Sequence, residues 1–417
     1  MASPNSKPAV KAEILRGPFD PGGQPQVHRE NHMHLSLFAW NVAGGLSATK
    51  AELSDVNRYR DNWKWPNAAR LLQAVEEAGF DSQLQYGMWS GYGGATGWND
   101  AMLDFATAMT ASAAITERLG IYTTIHTGFG FHPVLIAKLT AATDHLSGGR
   151  LGVNIVAAQN LVDHRLFGLT EVPSAEIRYD IADEFTTLMK HLWTSPVPVD
   201  FEGTYFQAYG AEINPQPLSR PRPLMINAAG SDLGLGYGVK HCDALFITAK
   251  DQSLEGYRAR ADKLHKMAAA HNREVRICVM CYVVMDESDA KAQETVDWII
   301  EEIDNEALRN WLVRSGHVLN SERTVVDDEL IGFEREADQD PYLGIGREMY
   351  EDLGTGMGAC KLFGSYATVA DKLKLLYDGG VGQVALCFFD PLKGAQQVKE
   401  HLIPELRRRG LNHGSPV

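Results

Sequence analysis

The sequence predicts a (β/α)₈ barrel, and two observations lead to this fold class. Short apolar runs alternate with longer amphipathic segments along most of the 417 residues. Several of the runs are apolar on both faces, as expected of parallel strands covered by helices. Eight such strand–helix units favour a closed barrel over an open sheet. No GxGxxG motif follows the first run, which weakens a dinucleotide-binding interpretation.

The elements follow from length, periodicity and end signals. Gly79, Gly120, Gly148, Gly149 and Gly380 stand where helices should stop, because glycine accepts the left-handed cap conformation. The predicted strands are Leu35–Trp40, Ser82–Tyr86, Leu119–Thr124, Leu151–Val156, Leu224–Asn227, Ala244–Ile247, Ile277–Met285 and Val384–Phe389. The predicted helices are Asn62–Glu77, Asp100–Thr116, Val134–Leu146, Ala175–Trp193, Leu254–His271 and Ala370–Tyr377.

Three segments depart from the repeat. Residues 1–31 are rich in Pro, Gly and polar residues and are predicted to be an extended arm, either disordered or strapped over a neighbouring subunit. Residues 195–222 predict a hairpin with a Pro-rich connection. Residues 286–360 are acidic and mostly helical, and we expect them to form an insertion that covers the active site. Residues 32–410 are otherwise predicted to be one barrel domain.

Composition excludes several classes of protein. The formal net charge is -14 and the pI is about 5.5, which argues against nucleic-acid and anionic-membrane surfaces. No apolar run reaches the roughly 20 residues that span a bilayer, and the N-terminus lacks the apolar stretch of a signal peptide. Five cysteines form no disulfide framework, so we expect a cytoplasmic protein.

The active site of a barrel lies at the carboxyl ends of its strands. Few acids stand at these ends, and no carboxylate pair, HExxH, GxSxG or His/Asp/Glu set at metal spacing is present, so no metal site is predicted. Such a pocket is suited to a planar cofactor that brings its own reactivity. The candidate residues at the strand ends are Trp40, Asn41, Tyr86, Met88, Trp89, Thr124, His126, Asn154, Gln159, Asn160, Asn227 and Ser231.

A predicted phosphate-binding site is the second feature of the sequence that indicates a bound cofactor. Small residues around Gly230 and Ser231 follow a predicted strand and open a helix, whose N-terminal N–H groups attract anions. Arg178 and Tyr179 lie at another helix start and could donate to the same phosphate, although a solvated helix start would look the same. His126 is a general acid or base, a substrate contact, or a satisfied strand-end histidine.

Cys278 and Cys281 stand three apart on one predicted strand and therefore point to opposite faces, which makes them structural cysteines and not a metal pair.

Taken together, these residues resemble the bacterial luciferase-like superfamily in its alkanesulfonate monooxygenase branch. Within that branch the chain is most similar to the dimethylsulfone, pyrimidine and dibenzothiophene-sulfone monooxygenases. The resemblance runs in order from about residue 35 through most of the chain. The matching pieces are NVAGGL (41–46), LLQAVEEAGFDS (71–82), ATDHLSGGRLGVNIV (142–156), RYDIADEFTTLMKHLW (178–193), FEGTYF (201–206), NPQPLSRPRP (214–223) and FGSYATVADKL (363–373).

The resemblance implies a barrel that binds reduced FMN and activates O₂. It implies that Asn154 bonds the flavin pyrimidine edge and that Thr124 lies beside the flavin N5 and the oxygen site. It further places Met88 on the flavin ring and Asp163 near the ribityl chain. The phosphate would be held by Arg178, Tyr179, Gly230 and Ser231.

The resemblance also bears on substrate and partners. Met280 and Tyr282 stand where alkanesulfonate monooxygenases carry Arg and His, and a Met cannot donate to a sulfonate. We therefore expect a small uncharged substrate, oxygenated with C–S, C–N or C–halogen cleavage. The resemblance leaves open whether oxygen is carried on flavin N5 or C4a. The expected pocket residues are Trp40, Trp89, His126, Phe129, Phe131 and Tyr282.

No nicotinamide site is visible, so a separate NAD(P)H:flavin reductase is expected to supply FMNH₂, and the resemblance implies a homodimer or homotetramer. Two alternatives stay open on the same barrel. One is a coenzyme F420-dependent oxidoreductase, and the other is a flavin-binding protein without catalytic activity.

Overall fold

A computed structural model describes residues 9–12, 18–54, 59–228, 230–248, 253–315, 342 and 345–412. The central part of the predicted insertion and residue Ala229 of the predicted phosphate loop lie outside the described residues. Among the described residues, no helix is both long enough and apolar enough to cross a membrane.

Eight parallel strands form a closed barrel, which confirms the predicted fold class. The strands of the structure are β1 Val10–Lys11, β2 His34–Phe38, β3 Ser82–Leu84, β4 Gly120–His126, β5 Leu151–Val156, β6 Val199–Glu202, β7 Gln207–Ala211, β8 Leu224–Ala228, β9 Ala244–Ile247, β10 Arg276–Asp286, β11 Cys360–Ser365 and β12 Val381–Phe388. The order of the barrel strands is β12–β2–β3–β4–β5–β8–β9–β10, and pairing of β10 with both β9 and β12 closes the ring. A separate three-stranded sheet, β1–β6–β7, contains the hairpin predicted within 195–222.

Strand β11 was not predicted from the sequence. It pairs with the carboxyl half of β10, residues 281–286, whereas the short β9 pairs only with residues 276–279. Because β12 occupies the other edge of β10, β9 and β11 share one edge. The insertion therefore ends by adding a strand at the mouth of the barrel.

The helices surround the barrel, and most begin with the cap residues that sequence rules favour. The helices are α1 Trp65–Ala78, α2 Phe105–Ile115, α3 Pro133–Leu146, α4 Leu161–Leu166, α5 Ala175–Thr194, α6 Asp232–His241, α7 Leu254–Ala269, α8 Asp289–Glu301, α9 Asn305–Arg314, α10 Arg347–Gly354, α11 Tyr366–Asp378, α12 Pro391–Gln397 and α13 Ile403–Arg408. Gly79 ends α1 with φ 89°, as predicted. Gly120 ends no helix, because α2 stops at Ile115 and Gly120 is the first residue of β4.

Alternation along the strands separates two cores. On β10, Cys278, Met280 and Tyr282 belong to the cluster inside the barrel, whereas Val279 and Cys281 belong to the cluster between barrel and helices. Successive residues of a strand face opposite sides, which explains the separation. The predicted opposite placement of Cys278 and Cys281 is confirmed.

The described part of the N-terminal arm is tied to the barrel by buried charge. Asp20 accepts hydrogen bonds from Lys190 at 2.9 Å and Arg222 at 2.6 Å, and it also pairs with Arg273. Arg222 makes a second, bidentate pair with Asp243. Asp20 thus neutralises cations that are almost fully buried.

We predict that Asp20→Asn lowers the free energy of unfolding by about 3 kcal/mol. The reason is that a buried cation that loses its counter-charge keeps its desolvation cost. Urea unfolding followed by circular dichroism measures the change. The matched control is Asp262→Asn, whose exposed pair with Lys266 at 2.6 Å should contribute less than about 0.5 kcal/mol. Equal effects of the two substitutions would contradict the anchoring role of Asp20.

Candidate active site

A hydroxyl and an amide meet at the mouth of the barrel. The register of β4 and β5 sets Thr124 opposite Asn154, and both side chains are buried. The amide Nδ2 of Asn154 donates to Thr124 Oγ1 at 3.1 Å. Thr124 Oγ1 in turn donates to the carbonyl oxygen of Gln85 at 2.7 Å. The chain of donors fixes the orientation of both side chains.

This orientation leaves one acceptor free. The Oδ1 atom of Asn154 is buried and has no hydrogen-bond partner among the described residues. An unpaired buried acceptor costs about 1–3 kcal/mol, so a ligand with an N–H donor would be stabilised there. Reduced flavin carries N–H groups on its ring, and the pair therefore fits the cofactor that the sequence predicts.

An aromatic cluster adjoins this pair. Trp89, Phe129 and Phe131 come together as predicted, and Phe167 joins them. Phe129 stacks on Phe167 with 4.7 Å between ring centroids, and Trp89 meets Phe167 edge to face at 5.0 Å. We call Trp89, Phe129, Phe131 and Phe167 the aromatic cluster. It offers an apolar, uncharged surface.

His126 borders the aromatic cluster as a neutral acceptor. Trp89 Nε1 donates to His126 Nδ1 at 3.3 Å, and the imidazole lies 5.2 Å from the Phe129 ring. Burial, together with a smaller effect of the nearby His164, lowers the pKa of His126 to about 4. Of the three roles predicted for His126, the geometry favours a neutral contact at physiological pH over a general acid.

Asp163 is the buried carboxylate beside this region. It lies in the first turn of α4 and accepts a hydrogen bond from Ser90 Oγ at 2.6 Å. Burial raises the pKa of Asp163, and the Ser90 hydrogen bond opposes that rise. Asn160 caps the same helix through Val162 N–H.

The predicted phosphate residues also converge. Ser231 caps α6 and is hydrogen-bonded to Tyr179. Burial raises the pKa of Tyr179, whereas the hydrogen bond to Ser231 opposes that rise. Arg178 is the fourth residue of α5, at the end of its first turn, and its Nη1 donates to the Pro173 carbonyl at 2.8 Å. Its Nε is buried without a partner in the described part of the chain. A Cβ on Gly230 would meet nothing within 4 Å, so the loop there is open.

Two residues of this site were missed by the sequence analysis. Phe167 follows a six-residue helix and shows no periodic pattern. Arg260 lies on the distant helix α7, and its Nη2 donates to the Gly230 carbonyl at 2.9 Å. No local signal marks either residue, because each is brought to the site by packing between elements.

Trp40 is the sequence-predicted pocket residue that the structure places elsewhere. It is fully buried in the core between barrel and helices, together with Leu35 and Leu37, and its Nε1 donates to Gln83 Oε1 at 2.5 Å. The cause is Ala39, whose φ of 57° breaks the alternation, so that Ala39 faces inward and Trp40 outward. The expectation that Trp40 lines the substrate pocket does not fit this placement.

Met88 and Tyr282 occupy different surroundings from the aromatic cluster. Met88 is half-buried against the cluster that contains Tyr92 and Trp98. Tyr282 points into the barrel, and its hydroxyl shows no geometric hydrogen-bond partner among the described residues. Burial raises the pKa of Tyr282 well above its ordinary value. Their roles toward flavin and substrate stay predictions.

The described part of the insertion packs on the loop that follows β3. Asp304 accepts hydrogen bonds from the Thr96 N–H and hydroxyl, both at 2.8 Å, and Asn310 donates to the Tyr92 carbonyl at 2.7 Å. Met88 and Trp89 lie on the same loop, which follows Leu84. The insertion therefore borders the mouth of the barrel, as the sequence predicts for a covering element.

Comparison with known proteins assigns the class. A family model described as luciferase-like monooxygenase matches residues 33–383. The chain belongs to this family, which confirms the resemblance seen in the sequence. It is accordingly a flavin-dependent monooxygenase built on a (β/α)₈ barrel.

Individual relatives agree with this class. The chain is 30% identical to the pyrimidine monooxygenase RutA of Cronobacter turicensis over 345 residues, which is 81% of this chain and 85% of the relative. It is 27% identical to the RutA of Acinetobacter baylyi, with 82% and 87% covered. Among solved structures, a riboflavin lyase (RcaE) with modified FMN and riboflavin has the same fold, with TM-score 0.76, 20% identity and 91% and 92% covered.

We predict that His126 makes the protein acid-sensitive. A neutral buried histidine with a pKa near 4 resists protonation, whereas the unfolded chain takes up the proton below about pH 6.5. Its contribution to stability is therefore present at pH 7 and falls by about 2 kcal/mol at pH 5. Urea unfolding of wild type and His126→Asn at both pH values measures this difference.

The control is His401→Asn, because His401 is exposed on the surface. Wild type should lose more stability on acidification than His126→Asn, whereas His401→Asn should follow wild type. Parallel losses in all three proteins would contradict a neutral, buried His126.

Proposed function

We propose that this protein is the oxygenase component of a two-component system that uses FMNH₂ and O₂ to oxygenate a small, uncharged organic substrate. The observation that carries the proposal is the unpaired Oδ1 of Asn154, held in place by Thr124 at the barrel mouth. The expected outcome is cleavage of a C–N, C–S or C–halogen bond.

Specific residues would hold the cofactor. Asn154 Oδ1 would accept a flavin ring N–H, and Thr124 would fix the amide that does so. Arg178, Tyr179 and Ser231 would bind the phosphate, and Arg260 would add a second cation next to Gly230. Asp163 would lie along the ribityl chain and Met88 against the ring, as the family resemblance implies. When bound, the reduced flavin supplies the activation of O₂.

The remaining chemistry of the site supports a cofactor-dependent reaction. Asp163 accepts from Ser90, and His126 is neutral at physiological pH, so neither is placed as a strong acid or base. The protein would act by orienting the substrate, fixing the flavin and excluding water. The insertion next to the β3 loop would contribute to water exclusion.

The aromatic cluster supports an uncharged substrate. Two of its rings, Trp89 and Phe129, contact the neutral imidazole of His126, an arrangement that suits an uncharged ligand better than a sulfonate. Met280 and Tyr282, which replace the Arg and His of alkanesulfonate monooxygenases, both face the barrel interior. The relatives named for pyrimidine oxygenation make neutral nitrogen heterocycles the first substrates to test.

We further propose that a separate NAD(P)H:flavin reductase delivers FMNH₂ and that the chain assembles as a homodimer or homotetramer in the cytoplasm. The reductase is expected because no nicotinamide site is visible in the sequence, the oligomer comes from the family resemblance, and the cytoplasm is expected from the few cysteines. Mass spectrometry of the cofactor retained by the purified protein distinguishes the FMN-dependent oxygenase from the F420-dependent alternative, since the two cofactors differ in mass.

We predict that Asn154→Ala reduces the yield of oxygenated product per FMNH₂ oxidised by about 10-fold, because the flavin loses one buried hydrogen bond. The assay combines FMNH₂, air and a panel of pyrimidines, sulfones, other heterocycles and chlorinated aromatics, with products measured by mass spectrometry. Asn67→Ala is the control, because Asn67 lies on α1, outside the site, where its amide donates to the carbonyl of Asp61, which precedes the helix. Unchanged yield in Asn154→Ala would contradict the assigned role.

We predict that Arg178→Ala reduces the preference for FMN over riboflavin by about 10-fold, because a charge-assisted bond to phosphate contributes about 1.5–3 kcal/mol. Anaerobic fluorescence titration with both reduced flavins measures the ratio of dissociation constants. Asn154→Ala should weaken both flavins equally and leave the ratio unchanged. An unchanged ratio in Arg178→Ala would show that the phosphate binds elsewhere.

A further inference from the structure

The opposite end of the barrel carries a group of side chains that the reaction does not use. The chain enters β2 through the segment HRENHMH, residues 28–34. In an extended segment His32 and His34 share one face, and the intervening Met33 points into the outer core with no exposure. Asp81 immediately precedes β3, the strand paired with β2.

These three residues present their ligand atoms to one point. One nitrogen of His32, one nitrogen of His34 and one carboxylate oxygen of Asp81 all lie within 4.8 Å of one another. His32 Nε2 and Asp81 Oδ1 are 2.7 Å apart. A tetrahedral ion with bonds of about 2.0 Å needs ligand atoms about 3.3 Å apart, so His32 Nε2 and Asp81 Oδ1 must separate slightly and the wider pairs must close by up to about 1.5 Å.

The surrounding contacts already orient two of the three ligands. His32 Nδ1 contacts the Asn412 carbonyl at 2.6 Å, which directs Nε2 toward Asp81. The second carboxylate oxygen of Asp81 accepts the Leu35 N–H at 2.8 Å. Metal-bound histidines commonly donate their other N–H to a backbone carbonyl, and bound carboxylates commonly carry a further hydrogen bond.

A cavity next to His32 and His34 gives the proposed ligands access to water. It has a volume of about 380 Å³ and is lined by His28, Glu30, His32, His34 and Arg276, among others. Water in such a cavity can supply the fourth ligand that a three-residue zinc site leaves open. Access from outside also allows the ion to enter the folded protein.

Two arginines, Arg29 and Arg276, carry the opposing charge at this site. The Nη1 atom of Arg276 lies 3.4 Å from His34 Nδ1 and also 3.4 Å from the Val27 carbonyl, and its Nη2 lies 3.3 Å from the Tyr122 hydroxyl. If His34 binds the metal through Nε2, its Nδ1 must carry the proton. The contact between Arg276 and Nδ1 must then break. The other two acceptors can retain the guanidinium.

We propose that His32, His34 and Asp81 form a binding site for a divalent transition-metal ion of the zinc type at the amino-terminal end of the barrel. Imidazole and carboxylate ligands suit such ions. The site joins β2 to the entry of β3, and through His32 it contacts the carboxyl-terminal segment at Asn412. Its role is structural, and it is separate from the flavin site at the other end.

The experiment is zinc titration of the full-length chain after chelator treatment, measured by calorimetry and by thermal unfolding. We expect one equivalent to bind with a dissociation constant of about 1 µM or tighter and to raise the melting temperature. Cobalt(II) added in place of zinc should give the visible absorption of a tetrahedral ion.

Three variants test the assignment. His32→Ala and Asp81→Asn each remove one ligand, and His34→Gln removes the third while keeping a side-chain amide near Ser82, which now contacts His34 Nε2 at 2.8 Å. Each should weaken zinc binding at least about 10-fold. His28→Ala is the control, because His28 lines the same cavity but is not among the three grouped ligands, and it should bind zinc as wild type does. Absence of stoichiometric binding to wild type, or binding that survives all three variants, would overturn the proposal.

Discussion

The register between β4 and β5 is the constraint on which the candidate active site depends. Pairing of Thr124 with Asn154 sets a hydroxyl and an amide at the same level of the barrel, both facing inward. A slip of β5 by one residue against β4 would turn Asn154 into the outer core while Thr124 still faced inward, so the pair would be lost. The hydrogen bond between them then leaves the acceptor Asn154 Oδ1 without a partner in the part of the chain that the structure describes. The proposed flavin site is therefore a consequence of strand pairing and not of a flexible loop.

The two ends of the barrel differ in chemistry. At the mouth, aromatic rings surround a neutral histidine, and the small number of charges suits a neutral substrate and a bound cofactor. At the amino-terminal end, polar side chains form hydrogen bonds between strands, as Gln383 does with Ser36 and Ser36 with Ser82. These hydrogen bonds join strands that are distant in sequence. This division agrees with the general rule that barrels react at the carboxyl ends of their strands and derive stability from the other end.

Sequence patterns were sufficient for much of this structure. Strands such as Leu151–Val156 and Ala244–Ile247 occur with the predicted bounds, because short apolar runs between turn residues have few other solutions. Arg178, Tyr179 and Ser231 were predicted from helix starts, since caps and small residues are local signals, and they lie at the starts of α5 and α6. The same local rules missed β11, because its buried and partly buried positions alternate and give no continuous apolar run.

What the sequence alone determined is the barrel, its family and the residues that stand at strand ends, because these depend on periodicity and on short motifs. The tertiary structure decided which side each side chain faces and which distant residues meet. Ala39 takes a positive φ and turns Trp40 away from the mouth, a local conformation that no periodicity reveals. Phe167, Arg260 and the grouping of His32, His34 and Asp81 depend on packing between elements that are far apart in the chain, so only the folded barrel brings them to their positions.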